Sequence, residues 1–242
     1  MSTQLEVIEL SKFYDVKQAV KNISFKVNKN EIIGILGPNG CGKTTTIGMI
    51  LGLLKPTSGK VLINGLEIEK YRVKLLTNLN FISPYIELPK RLTVRQNLEV
   101  YGRLYNVKKL KDKIDYLCEK LRLDKIISKI TGELSSGQKN RVSLAKSIIN
   151  NPTVLLLDEP TASLDPETGD YVRGFLEEYQ RENKASILLA SHNMSEVERL
   201  CSSVLMMNGG TIIDKGPPKE LIQKHGRKNM EEVFLKLTRE KI

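Results

Sequence analysis

Long apolar runs are absent from this sequence. The longest unbroken apolar stretches have only four or five residues, such as Val154–Leu157 and Ile187–Ala190, whereas a helix that crosses a bilayer needs about 20. We therefore expect no membrane-spanning helix. The first residues show no basic patch followed by an apolar segment, so we expect no secretory signal either.

Cysteine is scarce as well. The three cysteines, Cys41, Cys118 and Cys201, are far apart and odd in number. They form neither a disulfide framework nor a metal-ligand spacing, which favours a reducing, cytoplasmic setting. Hydrophobic residues make up 40% and charged residues 27% of the 242 residues. This composition excludes a disordered chain and suits one large folded domain.

Basic residues outnumber acidic ones. The sequence has 38 Lys and Arg against 28 Asp and Glu, a formal net charge of +10. The basic residues concentrate between Lys90 and Lys129 and in the tail from Lys215. This charge permits nucleotides, nucleic acids or acidic lipid head groups as partners, and it is equally compatible with an ordinary solvated surface.

Two kinds of apolar pattern predict strands. Ile23, Phe25 and Val27 alternate with polar neighbours, as in a half-buried antiparallel strand, whereas Ile32–Leu36 is apolar on both faces, as in a central parallel strand. Asn64-Gly65 predicts a tight hairpin turn. Further strands are predicted at Val154–Asp158 and Ile187–Ser191, and a second hairpin around Asn208-Gly209-Gly210.

Helical spacing of apolar residues predicts helices between these strands. They are marked by Ile47, Ile50, Leu51 and Leu54; by Val94, Leu98, Tyr101 and Leu104, with Thr93 as N-cap; by Ile114, Leu117 and Leu121; by the segment from Gly137 to Ile149; and by Met230–Leu237. We therefore predict an α/β fold that contains an inserted basic, helical block at about residues 90–150.

A glycine-rich loop is the strongest motif. Residues 37–44 read Gly37-Pro38-Asn39-Gly40-Cys41-Gly42-Lys43-Thr44 and fit G-x-x-x-x-G-K-[ST] between a predicted strand and a predicted helix. Glycines allow the backbone N–H groups to surround phosphate oxygens, Lys43 would contact the β- and γ-phosphates, and Thr44 would ligate Mg²⁺. The alternative is a glycine-rich turn that binds nothing.

The predicted strand at Val154–Asp158 ends in one acid, and a second acid, Glu159, follows it. Asp158 at the carboxyl end suits the Mg²⁺ hydration shell, and Glu159, which is expected to point elsewhere, could polarise a water in line with the γ-phosphate. The alternative is a pair of edge acids that cap the next helix. Ahead of them, Leu134-Ser135-Ser136-Gly137-Gln138 precedes a helix, and Ser135 with Gln138 also fits a simple capping box.

The order of these motifs, with Ser163-Leu164-Asp165 and His192 following, resembles the nucleotide-binding subunit of ATP-binding cassette (ABC) transporters. The resemblance extends from about Leu5 to Gly216. Within the family, Ser191–Cys201 and Glu231–Leu235 are most similar to separately encoded ATPases of drug-resistance-type exporters. The implied fold is a P-loop NTPase (RecA-like) core with an antiparallel β subdomain and an inserted α-helical subdomain. The implied domains are residues 1–216 and a short helical tail at residues 217–242.

The resemblance also implies a function. The chain would bind and hydrolyse ATP with Mg²⁺ and would form a head-to-tail homodimer, or a pair with a related ATPase, around two ATP molecules. It would power a separate membrane permease that docks near residues 80–105, on the inner face of the cell membrane, without nucleic acid. Two other functions are compatible with the same cassette: a nucleic-acid or ribosome factor, and an ATPase of a non-transport assembly complex.

Roles for single residues follow from the resemblance. Tyr14 would stack on adenine, unless it is an ordinary half-buried tyrosine beside Phe13. Thr45 would donate to a phosphate, Glu159 would be the general base, and His192 would contact the γ-phosphate. The loop residues Gly37, Pro38, Asn39, Gly40, Cys41, Gly42, Lys43 and Thr44 would hold the phosphates of one chain, and Ser135, Ser136, Gly137, Gln138 and Asp165 would complete the site of the other.

The sequence departs from the family pattern at two positions. The usual glutamine that reaches Mg²⁺ and the attacking water falls on Pro84, which has no side-chain donor or ligand oxygen. Ser136 stands where glycine is usual, and its small side chain is expected to be tolerated. Because neither change removes Lys43, Asp158, Glu159 or His192, we predict an active ATPase.

Overall fold

The computed structural model describes residues 2–83, 86–162 and 164–239. It forms two compact units, one made of the residues up to Leu76 and from Ser186 onward, the other of Thr77–Ala185. In chain order the strands and helices are β1 (Thr3–Tyr14), β2 (Lys17–Asn28), β3 (Ile32–Leu36), α1 (Lys43–Ile50), β4 (Ser58–Ile63), β5 (Leu66–Glu67), α2 (Ile68–Leu76), β6 (Leu79–Ile82), α3 (Val94–Leu104), α4 (Leu110–Lys120), α5 (Ser136–Ser147), β7 (Val154–Asp158), α6 (Pro166–Asn183), β8 (Ser186–Ala190), α7 (Met194–Leu200), β9 (Ser203–Asn208), β10 (Thr211–Gly216), α8 (Pro218–His225) and α9 (Met230–Arg239).

The first unit contains an antiparallel sheet in the order β2-β1-β4-β5. Ile23, Phe25 and Val27 are all buried, as their alternation predicts. The turn between β4 and β5 is Asn64-Gly65, and both residues have positive φ (52° and 76°). This is the backbone that a two-residue hairpin requires, so the predicted turn is confirmed.

A second sheet of the first unit has the order β10-β9-β3-β8. β3 is parallel to both β8 and β9, and all five of its residues are buried. A strand that is covered on both faces needs apolar residues throughout, which explains its continuous apolar sequence. The parallel register brings the carboxyl ends of β3 and β8 to the same edge of the sheet.

The second unit combines the parallel pair β6 and β7 with helices α3 to α6. Thr93 and Gln96 form a reciprocal capping box at the start of α3, so the predicted N-cap is confirmed. The buried side-chain amide of Asn97 donates to Thr131 Oγ1 at 2.7 Å and fixes the helix to the loop before α5. α4 begins at Leu110 and buries Ile114 and Leu117, as their spacing predicts.

The helix periodicity is wrong at Leu54, whereas Leu104 lies in α3 as predicted but is not buried. Leu54 lies beyond the end of α1, and a Cβ built on Gly48 would come within 2.8 Å of its side chain. The chain turns back after Ile50, so Leu54 packs on the helix from outside it. Leu104 ends α3 with 72% of its surface exposed, although it has the spacing of the buried Leu98.

Over residues 2–83, 86–162 and 164–239, no helix combines the length and the hydrophobicity that a bilayer crossing requires. The predicted division into residues 1–216, with a helical part at about 90–150, and a tail at 217–242 stays a prediction. In the tail, α9 begins at Met230 as its spacing predicts, and α8 precedes it.

A pair of leucines on α3 tests the packing of this helix. Leu98 is fully buried and Leu104 is exposed. We expect Leu98→Ala to lower the free energy of unfolding by about 3 kcal/mol because it removes buried methyl groups and leaves a cavity. Leu104→Ala should change it by less than about 0.5 kcal/mol. Urea denaturation followed by circular dichroism measures both, and equal losses would contradict the packing of α3.

Candidate functional site

The glycine-rich loop connects β3 to α1 in the first unit. Gly40 and Gly42 have φ of 79° and 109°, values that side chains other than hydrogen rarely allow. Within the loop, the Cys41 amide donates to the Pro38 carbonyl at 3.2 Å. From the β9–β10 turn, the Gly210 amide donates to the Cys41 carbonyl at 3.1 Å, so the loop is tied to the neighbouring hairpin.

Two glycines of the loop are also required by packing. A Cβ on Gly37 would meet the Met207 carbonyl oxygen and the Cys41 sulfur, and one on Gly42 would lie 2.7 Å from the Ala19 carbonyl oxygen. The loop therefore touches the backbones of β9 and β2. The sequence motif predicts the glycines from phosphate chemistry, and the structure adds this second reason for them.

Lys43 is buried inside the loop that precedes it. Its ammonium donates to the Gly37 carbonyl at 2.6 Å and to the Pro38 carbonyl at 3.3 Å. An ammonium has three donors, so one is left for a phosphate oxygen. No side chain caps α1 at Gly42, and its first turn contains no acid. A positive helix end beside a buried cation fits an anionic ligand such as the phosphates of ATP.

The other residues of the motif take different positions. Asn39, Gly40 and Thr44 are exposed, and Thr45 is half-buried. Cys41 is buried; burial raises the pKa of its thiol, and the nearby Lys43 only partly opposes this effect. The thiol is therefore protonated at neutral pH, and Cys41 contributes backbone groups to the loop rather than a nucleophile.

His192 follows β8 at the edge of the sheet where the loop follows β3. Ile35 pairs with Ala190 in parallel register, and the Ser191 amide donates to the Ile35 carbonyl at 3.4 Å. The structure thus brings the exposed His192 and the start of the phosphate loop to the carboxyl ends of neighbouring strands. In α/β sheets this edge is where ligands bind.

Tyr14 is the last residue of β1, beside the turn that leads into β2. The residue is 45% exposed, so its side chain belongs to the surface and not to the core. Lys12 Nζ lies 5.3 Å from the ring centroid. An exposed aromatic ring can stack on a base, and this role of Tyr14 stays a prediction.

In the second unit, Asp158 and Glu159 line a cleft of about 190 Å³. Asp158 ends β7 and is 2% exposed, whereas Glu159 is half-buried and has a left-handed backbone, φ 55°. Asp158 lines the cleft from the end of β7, and Glu159 lines it from the turn that follows. Ile82 and Leu88 give the cleft apolar walls, and Ser83, Lys90, Ser136, Lys139 and Asn140 supply polar groups.

The segment Ser135–Gln138 begins α5 with the capping box that was left open as an alternative. Gln138 N–H donates to Ser135 Oγ at 3.3 Å, and Ser135 N–H donates to Gln138 Oε1 at 3.1 Å. Accepting this bond leaves the Ser135 hydroxyl hydrogen available to a ligand. Ser135 and Ser136 are exposed, Gly137 is half-buried, and the first turn of α5 contains no acid.

Asp165 is the N-cap of α6, where its carboxylate accepts from the Thr168 amide at 3.0 Å. This hydrogen bond lowers the pKa of Asp165, which is therefore ionised at neutral pH. Asp165-Pro166 is a recognisable helix start, with an acid at the N-cap and proline at the first helical position. Its place at a dimer seam stays a prediction. Pro84 and Ser163 lie outside the described residues.

The phosphate loop belongs to the first unit, and the two acids, Asp158 and Glu159, belong to the second. Thr44 and Asp158, the two residues predicted to hold Mg²⁺, each carry an oxygen donor of the hard kind that this ion prefers, and their role as its ligands stays a prediction. Lys90 and Lys139, which line the cleft with the acids, were not predicted. The only signal for Lys139 was its position one residue after the Ser135–Gln138 segment.

Comparison with known proteins identifies related chains. A family model described as "ABC transporter" matches residues 20–162. The chain is 33% identical to the ABC transporter ATP-binding protein NatA of Bacillus subtilis over 223 residues, 91% of this chain and 90% of NatA. It is 36% identical to the Nod factor export ATP-binding protein I of Rhizobium etli over 222 residues, 91% of this chain and 70% of that protein.

Solved structures agree with these relatives. An ATP-binding subunit of an ABC transporter superposes with a TM-score of 0.90 at 26% identity, covering 97% of this chain and 99% of the other. The dimeric cassette MJ0796 superposes with a TM-score of 0.82 at 23% identity, covering 88% of this chain and 98% of its own, which concerns the fold alone. The predicted α/β P-loop NTPase fold is therefore confirmed.

Gly42→Ala tests whether the loop geometry serves nucleotide binding. At φ 109° the new Cβ would lie 2.7 Å from the Ala19 carbonyl oxygen, so the loop must shift. We expect the affinity for a fluorescent ATP analogue, measured by titration, to fall about tenfold or more, the equivalent of about 1.4 kcal/mol of strain. Gly226→Ala is the control because Gly226 also has positive φ but nothing near its Cβ. Equal affinities of the two variants would contradict the assignment.

Proposed function

We propose that this chain powers export through a separate membrane permease. The chain belongs to the ABC transporter family and is an ATP-binding and ATP-hydrolysing subunit. The observation that carries the proposal is the phosphate loop: the buried Lys43 ammonium is bonded to a carbonyl group of this loop at the start of α1, which no side chain caps. A glycine-rich loop of this kind, with its backbone amides and one cation, binds polyphosphate and leaves the chemistry to other groups.

The phosphate loop binds the phosphates of ATP before hydrolysis. The first-turn amides of α1 and the Lys43 ammonium hold the β- and γ-phosphates, and Thr45 donates a hydroxyl to a phosphate oxygen. Tyr14, exposed at the end of β1, stacks on the adenine ring. His192, which follows the strand next to the loop, contacts the γ-phosphate and holds the geometry of the attacking water.

Hydrolysis itself needs a metal and a base. The Thr44 hydroxyl and the Asp158 carboxylate would hold Mg²⁺, and the bound ion would neutralise charge that develops on the phosphates. Glu159 is the general base that takes a proton from the water. Glu159 is half-buried and lines a cleft whose walls include the apolar Ile82 and Leu88.

Each site is completed by a second copy of the chain or by a related ATPase. Ser135, Ser136 and Gly137 present hydroxyl and amide donors at the exposed start of α5, a suitable surface for a γ-phosphate bound to the partner. Gln138 holds this start in place through the capping box. Asp165 lies at the seam. The dimeric state of the cassette MJ0796 supports the arrangement.

The permease docks on the second unit near residues 80–105. Ile86, Val100 and Leu104 are apolar side chains of this stretch that are 45%, 43% and 72% exposed. Exposed apolar groups clustered in a short segment mark contact sites for other proteins. The basic surface around them favours an acidic inner leaflet, which makes the subunit a peripheral protein of the cytoplasmic face.

Export is the proposed direction because one relative named above is an export ATP-binding protein. The relatives give no support to a nucleic-acid or ribosome factor, or to an assembly ATPase outside transport, since both named proteins belong to transport systems. The net charge of +10 is then a surface property of a membrane-associated subunit.

Glu159→Gln tests the assigned base. The amide keeps the size of the side chain but cannot accept the proton of water, so we expect turnover to fall about 10²-fold or more while ATP binding is retained. Phosphate release and nucleotide titration measure the two quantities. Glu119→Gln on the exposed side of α4 is the control and should leave turnover unchanged. Near-normal hydrolysis in Glu159→Gln would remove Glu159 from this role.

Leu104→Asp tests the docking surface. A charge on this exposed position is costly at an apolar contact but harmless in water, so we expect the share of the chain that sediments with salt-washed membranes of the producing cells to fall several-fold. ATP hydrolysis by the isolated subunit should not change. Val73→Asp, on an 86% exposed side chain of α2, is the matched control. Loss of sedimentation in both variants would argue for a non-specific effect.

A further inference from the structure

A buried carboxylate lies directly behind the loop that carries His192. Glu196, in the first turn of α7, is fully buried, and its Oε2 accepts a hydrogen bond from the Ser191 hydroxyl at 2.6 Å. Removing a carboxylate from water is unfavourable unless strong hydrogen bonds offset the loss. The short bond to Ser191, the residue before His192, is such a bond.

The residue after His192 is held by the same group of side chains. Asn193 N–H donates to the Ser191 hydroxyl oxygen at 3.1 Å, and Asn193 Oδ1 accepts from the amides of Ser195 at 3.1 Å and Glu196 at 3.3 Å. The Ser191 hydroxyl therefore connects the Glu196 carboxylate to the Asn193 amide. Both neighbours of His192 are fixed to α7, while His192 itself is exposed.

This arrangement differs from an ordinary helix start. Asn193 with Glu196 three residues later has the sequence of a capping box, in which the acid bonds directly to the N-cap amide. Here the Ser191 hydroxyl lies between the two groups and extends the contact back across His192 to the end of β8. Capping α7 requires only Asn193, whose side chain already serves two amides.

The carboxylate also sits deep in the apolar interior of this unit. Val197 and Leu200 of α7 are buried beside it along the chain. The pKa of the buried Cys201 thiol is raised, first by burial and then by the charge of Glu196, which places the carboxylate near this sulfur. A buried acid in these surroundings must be held by hydrogen bonds, and the bond from the Ser191 hydroxyl is one of them.

We propose that Glu196 is a positioning residue for His192: through Ser191 and Asn193 it fixes the backbone on both sides of the histidine, so that the imidazole is held at the edge of the sheet shared with the phosphate loop. The inference rests on the proposed role of His192 in ATP hydrolysis. A fixed backbone spares the histidine a loss of freedom on reaching the transition state, and errors of position at such groups reduce turnover more than binding.

The test is a set of kinetic measurements on the full-length chain. We expect Glu196→Ala to lower kcat for ATP about tenfold and to change KM less than about twofold. Glu196→Gln can still accept the Ser191 hydrogen bond and should recover kcat to within about threefold of the parent. Glu198→Ala, two positions away on the exposed side of α7, is the matched control and should leave kcat unchanged even if it lowers Tm.

A double-mutant cycle separates positioning from general stability. In a His192→Ala background, Glu196→Ala should lower kcat by less than about twofold, because the group it positions is gone. A further tenfold loss in that background, a normal kcat in Glu196→Ala, or a Glu196→Gln variant as slow as Glu196→Ala would each overturn the proposal. Should Glu196→Ala fail to fold, Ser191→Ala, which removes only the bridging hydroxyl, must show the same loss and the same non-additivity.

The single variant His192→Ala keeps this inference distinct from the function on which it rests. A normal kcat in His192→Ala refutes the catalytic role of the histidine and, with it, any positioning of that histidine by Glu196. A slow His192→Ala variant together with additive effects of Glu196→Ala leaves the role of His192 intact and refutes only the inference about Glu196.

Discussion

The contact of backbone with backbone around the phosphate loop is the constraint on which the site depends. Gly37 lies against the Met207 carbonyl and Gly42 against the Ala19 carbonyl, so strands on two sides fix the loop before any ligand binds. Inside it, the Lys43 ammonium is already held by two carbonyl groups. A cation and dipoles that are fixed in advance do not have to reorganise when phosphate arrives, and this is the condition under which they stabilise its charge best.

The pairing of parallel strands places groups that are distant in sequence at one edge of a sheet. Within the first unit, β3 ends at the loop and β8 ends at His192, and their pairing makes both ends fall at one edge. Within the second unit, β6 and β7 pair in the same way, and the residues after their ends, Ser83 and Glu159, line one cleft. Short strands of continuous apolar sequence therefore determine where the polar groups that follow them lie.

The strands and helix starts that depend only on neighbouring residues could be predicted from the sequence. A buried strand such as β3 is recognisable from five apolar residues, and the start of α5 from Ser135 and Gln138, because each depends on neighbours in the chain. Apolar spacing is less reliable at helix ends, because it does not show whether a partner element is present. Leu104 has the right spacing but is 72% exposed, and Leu54 lies past a turn that spacing does not reveal.

Other features could not be predicted because they combine local backbone geometry with long-range packing. Glu159, directly after β7, has a left-handed φ, and it lines the same cleft as Asp158. The hydroxyl of Ser191 bridges Glu196 and Asn193, although the sequence matches a capping box that would not involve it. In both cases the residue types can be recognised in the sequence, whereas their contacts follow only from the folded chain.

The placement of Cys41 has a consequence for the chemistry that this chain can withstand. The sulfur is enclosed within the phosphate loop and stays a protonated thiol, since burial raises its pKa. Oxidants and alkylating reagents attack thiolates that they can reach. Although its most sensitive loop contains a cysteine, the protein is therefore protected against peroxide and electrophile stress at that position for as long as the loop remains folded.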